Sequence, residues 1–138
     1  MSSIEYFQAP GPLGSLFHAG GTSNVAKIPL RGSLVITGGQ PGFDLSRGEL
    51  VTSSLEGEVS ACFDCVDAAL KSAGVAGGLA QAHRFTCFLT DMRYEPVVMR
   101  VWRERMPEHR VPWVTVGVAM LAIPDMRVEI AAEAMIYE

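Results

Sequence analysis

Between Ser54 and Met120 the apolar period switches repeatedly, and this succession of switches limits the folds open to the chain more than any other feature. From Ser54 to Ala73, residues Val59, Cys62, Phe63, Val66 and Leu70 recur at i, i+3, i+4, i+7 and i+11, one face of a helix. Ser54, with Gly57 and Glu58 after it, marks the start. Gly74 supplies the residue past the end, with Lys71 in the last turn. Gly77-Gly78 is loop. From Gln81 to Thr90 the period drops to two: His83, Phe85, Cys87 and Leu89 point one way, Arg84, Thr86, Phe88 and Thr90 the other. Asp91 then caps a second helix that tolerates Pro96 in its first turn and turns Val98, Val101 and Trp102 inward. Pro107 stops it. Val114 to Met120 and Met126 to Ile136 are the closing strands, separated by a loop holding Pro124-Asp125.

Upstream, Ser33-Leu34-Val35-Ile36-Thr37 is a β-branched strand stopped by Gly38-Gly39. Gln40 to Asp44 is turn chemistry, and Gly48-Glu49-Leu50-Val51 a short return strand. Residues 1–32 are broken by Pro10-Gly11-Pro12 and Gly20-Gly21, so irregular chain with at most one strand is expected there. The order strand, strand, helix, strand, helix, strand, strand predicts an α+β domain with both helices on one sheet face. One domain spanning residues 1–138 is expected, opened by an irregular segment over 1–30.

The last strand divides into Val128, Ile130, Ala132, Ala134 and Ile136 against Arg127, Glu129, Ala131, Glu133 and Met135. The first set suits a helix-covered face. The second is mixed, as expected where sheets of several subunits pack together. Composition agrees, since 49% apolar residues with only 19% charged ones is a high apolar share for a small monomer. A net charge of −4 argues against a nucleic-acid partner, which needs a basic face. No apolar run reaches the ~18–20 residues of a membrane span, and no basic segment precedes an apolar one as in a signal peptide. A cytoplasmic protein with reduced thiols is the expectation, three cysteines making no disulfide framework.

Cys62-x-x-Cys65 lies inside the first amphipathic helix, without a second such pair or a suitably spaced histidine pair, and reads as core. Cys87 and His83 share an inward strand face and read the same way. His109 stands in the loop before Trp113, where a place at a pocket edge is open. No metal-binding spacing and no phosphate loop is present. Glu129 stands out because an ionised carboxylate in the middle of an apolar strand must be paired or functional. An ion pair to Arg127 or to a neighbouring subunit is one reading, and a carboxylate that orients or deprotonates water is the other.

From Leu30 to Ile136 the assembled pattern resembles the RidA/YjgF family. The resemblance rests on Leu34-Val35-Ile36-Thr37-Gly38-Gly39-Gln40, Gly48-Glu49-Leu50-Val51, Phe88-Leu89-Thr90-Asp91-Met92, Met106-Pro107-Glu108-His109-Arg110, Val114-Thr115-Val116 and Val128-Glu129-Ile130, in that order and spacing. It implies a chorismate-mutase-like α+β fold and a homotrimer whose sheets form a central barrel. It also implies pockets at the subunit interfaces, and hydrolysis of 2-enamino and 2-imino acids to 2-oxo acids and ammonia without a cofactor. Glu129 matches the family's water-orienting Glu. Thr115 falls where many members carry a small polar or thiol side chain, and Arg110 matches a loop-borne Arg. Three departures concern the site, the first being that the family's early G-P-Y-S segment has no clean counterpart here. Trp113 stands where the deaminases carry the Arg that forks onto the substrate carboxylate, and Met99 stands where they carry an Asn. An indole offers a flat apolar face and one N–H in place of a bidentate cation.

The leading expectation is therefore a RidA-like enzyme with a remodelled, more apolar inter-subunit pocket. It would act on an enamine, an imine or an activated carbonyl in a dedicated biosynthetic or catabolic pathway. Glu129 would be acid/base or water positioner and Trp113 a stacking wall, with Phe88 and Arg110 at the pocket. Thr115 and the backbone at Gly38 and Gly39 would supply polar contacts. An ordinary imine deaminase using Arg110 or Arg127, and a non-catalytic small-ligand trimer, are the alternatives.

Overall fold

The computed structural model describes residues 4–138, and the strongest periodicities become its longest elements. Helix α2 runs Leu55–Ser72, its first turn capped by the Ser54 hydroxyl, which accepts the Gly57 N–H at 2.9 Å. It closes through the amides of Ala73 and Gly74, which reach back to the carbonyls of Leu70 and Lys71. Strand β7 is Ala82–Leu89, and helix α3 is Glu95–Arg105 after a single 3-10 turn at Met92–Tyr94. The Asp91 carboxylate accepts the Arg93 N–H at that turn. Strands β8 (Trp113–Gly117) and β9 (Val128–Ile136) follow.

With β3 (Ser33–Ile36) these strands form one mixed sheet in the order β3-β9-β7-β8, and β4 (Gln40–Pro41) continues along the β3 side of β9. The pair β7-β8 is parallel, with α3 as its crossover, and β9 runs antiparallel to β3 and β7. A two-stranded ribbon of β5 (Phe43–Asp44) and β6 (Glu49–Leu50) leads into α2. The α+β architecture and the helix-covered sheet face expected from the periods are present.

The N-terminal expectation needs correction. Strand β1 (Glu5–Phe7) pairs with β2 (Val25–Lys27), and between them lies a third helix, α1 (Pro12–Gly20). The residues that read as breakers are its punctuation: Pro12 starts the first turn, and Gly21, left-handed at φ 88°, ends the last. The segment is bolted to the loop before β8. Ser23 donates from Oγ to the Arg110 carbonyl at 2.6 Å and from its amide to Val111 at 3.0 Å.

The core lies between the sheet and helices α2 and α3. Phe63, Leu70, Phe85, Trp102 and Ile130 are fully buried there, with all three cysteines also interior. Phe85 and Trp102 rings stand 4.7 Å apart, and Trp102 donates its indole N–H to the Gly21 carbonyl. The opposite sheet face is open. Leu34, Ile36, Val114 and Val116 are exposed on it, beside half-buried Thr86, Phe88, Glu129 and Glu133.

Candidate functional site

Pairing across the sheet decides which predicted residues can meet. Trp113 lies beside Phe85, and Thr115 beside Cys87, so both belong to the helix-covered face. Phe88 lies beside both Val116 and Glu129 and belongs to the open face. The expected site residues are thus divided between two sides of one sheet.

On the helix side, Trp113 and Thr115 form the floor of a cleft of about 520 Å³ at the sheet's β8 edge. Leu16, Phe17 and Gly20 of α1 make one wall and Glu95, Pro96, Met99 and Arg103 of α3 the other. Trp113 is stacked on Phe85 with ring centroids 5.0 Å apart, which fixes its plane. Its indole N–H donates to the Thr115 hydroxyl at 3.0 Å. That bond occupies the one donor an indole has and leaves the threonine proton free to turn toward a ligand.

Arg103 is one of two charged cleft residues, with Glu95, that sequence reasoning missed. Its stem packs on Gly21, where any side chain would collide with it, and its Nη1 donates to the Gly20 carbonyl at 3.1 Å. The remaining guanidinium donors have no carboxylate partner among the described residues. The available signal was position: Arg103 follows the inward Trp102 on α3 and so stands at the edge of that helix's buried face.

On the open side, Glu129 is half-buried between β4 and β7, opposite Pro41 and Phe88. Its carboxylate lies against Gly39, whose missing side chain makes the room; a Cβ there would overlap it. The ion pair to Arg127 is not formed. Arg127 instead donates Nε to Glu58 at 2.7 Å, and the fully buried Glu58 also accepts the Arg127 backbone N–H at 2.8 Å. Glu129 has no hydrogen-bond or ion-pair partner among the described residues. Gly38 carries the Gln40 amide on its carbonyl, at 3.2 Å.

Arg110 stands away from the cleft lining and donates to the carbonyls of His18 and Pro107, bracing the end of α1 against its own loop. His109 is likewise structural: its Nε2 meets the Ala82 carbonyl at 2.6 Å, and burial lowers its pKa. Cys62 and Cys65 donate to the carbonyls of Gln40 and Phe43, and burial raises both thiols. Cys87, raised by burial and by the nearby Glu95, reaches about 12. Protonated thiols of this kind are poor nucleophiles and poor metal ligands. Among the described residues no helix is long and apolar enough to cross a membrane.

The family model described as endoribonuclease L-PSP matches residues 20–136. Among solved structures, YjgF of E. coli is 26% identical with a TM-score of 0.67, the match covering 78% of this chain and 84% of that one. YyfB of Yersinia pestis, from the Rid protein family, is 17% identical with a TM-score of 0.80, covering 98% of this chain and 100% of that one. TdcF of E. coli, solved with bound serine, is 24% identical with a TM-score of 0.67, covering 98% of each chain. No curated protein matches by sequence.

Proposed function

The chain belongs to the endoribonuclease L-PSP family, that of the RidA/YjgF proteins, and from this premise we propose that it is a small-molecule enzyme whose site is shared between neighbouring copies. The observation that carries the reading is the division of the site residues. The cleft of Trp113, Thr115, Met99 and Arg103 sits at the β8 edge, while Gly39, Phe88 and Glu129 stand on the open face. A cyclic assembly, here a homotrimer, sets the open face of one protomer against the β8 edge of the next and brings the halves together. The exposed Leu34, Ile36, Val114 and Val116 are the apolar surface such an assembly buries.

In the closed site a flat, unsaturated substrate lies on the Trp113 ring, with the Thr115 hydroxyl donating to one of its oxygens. Glu129, without a competing cation, accepts a proton from a water and holds it in line for attack on a polarised C=N or C=O carbon. The same carboxyl returns that proton to the nitrogen to give a carbinolamine. As this collapses, its hydroxyl proton passes by way of the carboxylate to the nitrogen, which leaves as ammonia while C=O forms. An enamine enters the sequence as the imine, after protonation at its carbon. Hydrolysis of an enamine or imine, or a related acid/base step on an activated carbonyl, is the proposed reaction. The net charge of −4 favours a small molecule over a polyanion. Ordinary 2-imino acid hydrolysis through Arg110 or Arg127 is the weaker reading, since both guanidinium groups are committed elsewhere.

Subunit complementation tests the reading. Met99→Trp fills the cleft half and Glu129→Gln disables the open half; each alone is expected to release ammonia from freshly generated enamines and imines no faster than buffer. Oligomers re-formed from a mixture of the two should regain activity, because some interfaces then combine two intact halves. Recovery absent from mixed oligomers whose composition is verified by mass spectrometry would remove the shared site.

A further inference from the structure

Arg103 and Glu95 are the two charged groups of the cleft, and the fold role of each, bracing α1 and opening α3, leaves polar capacity unused. Arg103 does help close α1 by bonding the Gly20 carbonyl, but one donor suffices for that, and the guanidinium has five. Its stem is held by the Gly21 backbone, so the fork is fixed before any ligand arrives. Glu95 opens α3, with no ion-pair partner among the described residues. Its charge reaches Cys87, the strand neighbour of Thr115. Thus a cation stands toward the α1 end of the cleft and an anion toward the Thr115 end. Met99 stands between them on α3, and the Trp113 ring lies on the cleft floor.

We infer that the cleft selects an ampholyte: an anionic oxygen group on Arg103, a flat or apolar body on Trp113, and a proton-bearing nitrogen toward Glu95. This rests on the reading of the cleft as the substrate-binding half of the site. The spacing constrains the ligand. Glu95 and Arg103 start from backbone positions roughly 12 Å apart along α3 with Met99 between them, so a ligand that engages both across Met99 carries its nitrogen and its anion on different carbons. The substrate class is one in which a ring or chain separates the nitrogen from the anion. The family's Arg at the Trp113 position would set the carboxylate directly on the strand; here the anion anchor has moved to the facing helix, and the vacated strand position has become a stacking surface.

The test uses para-aminomethylbenzoate, its methyl ester, para-toluate and alanine as probes of the intact protein. Titrations follow the Trp113 indole N–H signal by NMR, identified by its loss in Trp113→Phe. The amphoteric acid should bind about tenfold more tightly than either the ester, which lacks the anion, or para-toluate, which lacks the ammonium. Alanine should bind least. Arg103→Gln should erase the preference for acid over ester, Arg103→Lys should keep part of it, and Glu95→Gln should erase the preference over para-toluate. An unchanged acid-to-ester ratio in Arg103→Gln, even with a lowered Tm, means that Arg103 only braces α1 and overturns the inference. An unchanged preference in Glu95→Gln overturns its two-pole form. If no probe moves the Trp113 signal, the cleft is not a ligand site, and the underlying reading falls with the inference.

Discussion

On its helix-covered face the sheet buries Phe85, Cys87, Ile130 and Ala132 against α2 and α3, with Phe63 and Trp102 interleaved. On its open face the same strands leave Leu34, Ile36, Val114 and Val116 exposed, with Glu129 and Glu133 standing among them. Both faces are rich in aliphatic side chains, so hydrophobicity alone does not separate them. Partnership does. The large residues of the first face are packed by other elements of the same chain, while Leu34, Ile36, Val114 and Val116 of the second are left exposed. The two buried or half-buried glutamates repeat the contrast: Glu58 is met by Arg127 and two backbone amides, and Glu129 by no donor among the described residues.

The comparison breaks most easily at the aromatic cluster. Phe85→Ala should cost about 3–5 kcal/mol of folding stability, since it opens a cavity between Trp102 and Trp113 that neither ring can close. Val116→Asp on the open face should leave the protomer's circular dichroism unchanged and dissociate the oligomer in sedimentation. A comparable loss of folded structure in both variants would mean that the open face also supports the protomer.

Glu58→Ala comes next. It strands Arg127 and the amides of residues 127 and 128, a loss of about 3 kcal/mol, at the lower end for a broken buried pair because Arg127 keeps a path to water. Chemical denaturation measures it. A loss below about 1 kcal/mol would show that water replaces the carboxylate.

How much of this was legible in the chain follows from which signals are local. The division of β9 into alternate sets, the boundaries of α2 and the interior place of the cysteines all follow from spacing within a single element. Helix α1 was not legible because Pro12 and Gly21, its start and stop, are also turn residues, and its nine residues make little more than two turns with Gly14 among them. The partner of Arg127 was misjudged for a related reason. Glu58 sits in the first turn of α2 and reads there as a helix-start acid, while the pairing depends on where α2 lies over β9. Arg103 escaped because its stem is fixed by Gly21, far upstream in the chain. The division of the site between two faces depends on the β7-β8 register, which no single strand encodes.

Glu129→Gln sharpens the contrast between the glutamates from the other direction. With no partner to lose, its stability should stay within about 0.5 kcal/mol of the parent, whereas turnover of any accepted enamine or imine should fall by 10²-fold or more. A variant that keeps its rate removes the proposed proton carrier. One that unfolds would mean that the carboxylate has a structural partner across the assembled interface.

The smallest effect concerns pH and two histidines, His109 in the loop before β8 and His83, which the irregularity in β7 sets beside Glu133 rather than on the inward face expected from the alternation. His109, against Ala82 and edge-on to Tyr6, and His83, in the irregular stretch of β7 beside Glu133, both have pKa values lowered chiefly by burial. Glu133 opposes the shift at His83, and the Ala82 carbonyl opposes it at His109, without reversing either. A depressed histidine pKa means that the unfolded chain binds the proton more readily than the folded one. Stability is therefore complete above the ordinary histidine value near 6.5 and falls as pH descends through the lowered folded values. Denaturant midpoints measured from pH 7.5 to 5, a window above the carboxylate range, should decline toward the acid end. His109→Gln, which keeps a side-chain N–H for the Ala82 carbonyl, should flatten part of that slope, leaving the His83 share. A slope unchanged in His109→Gln would assign the acid sensitivity to His83 and its Glu133 neighbour alone.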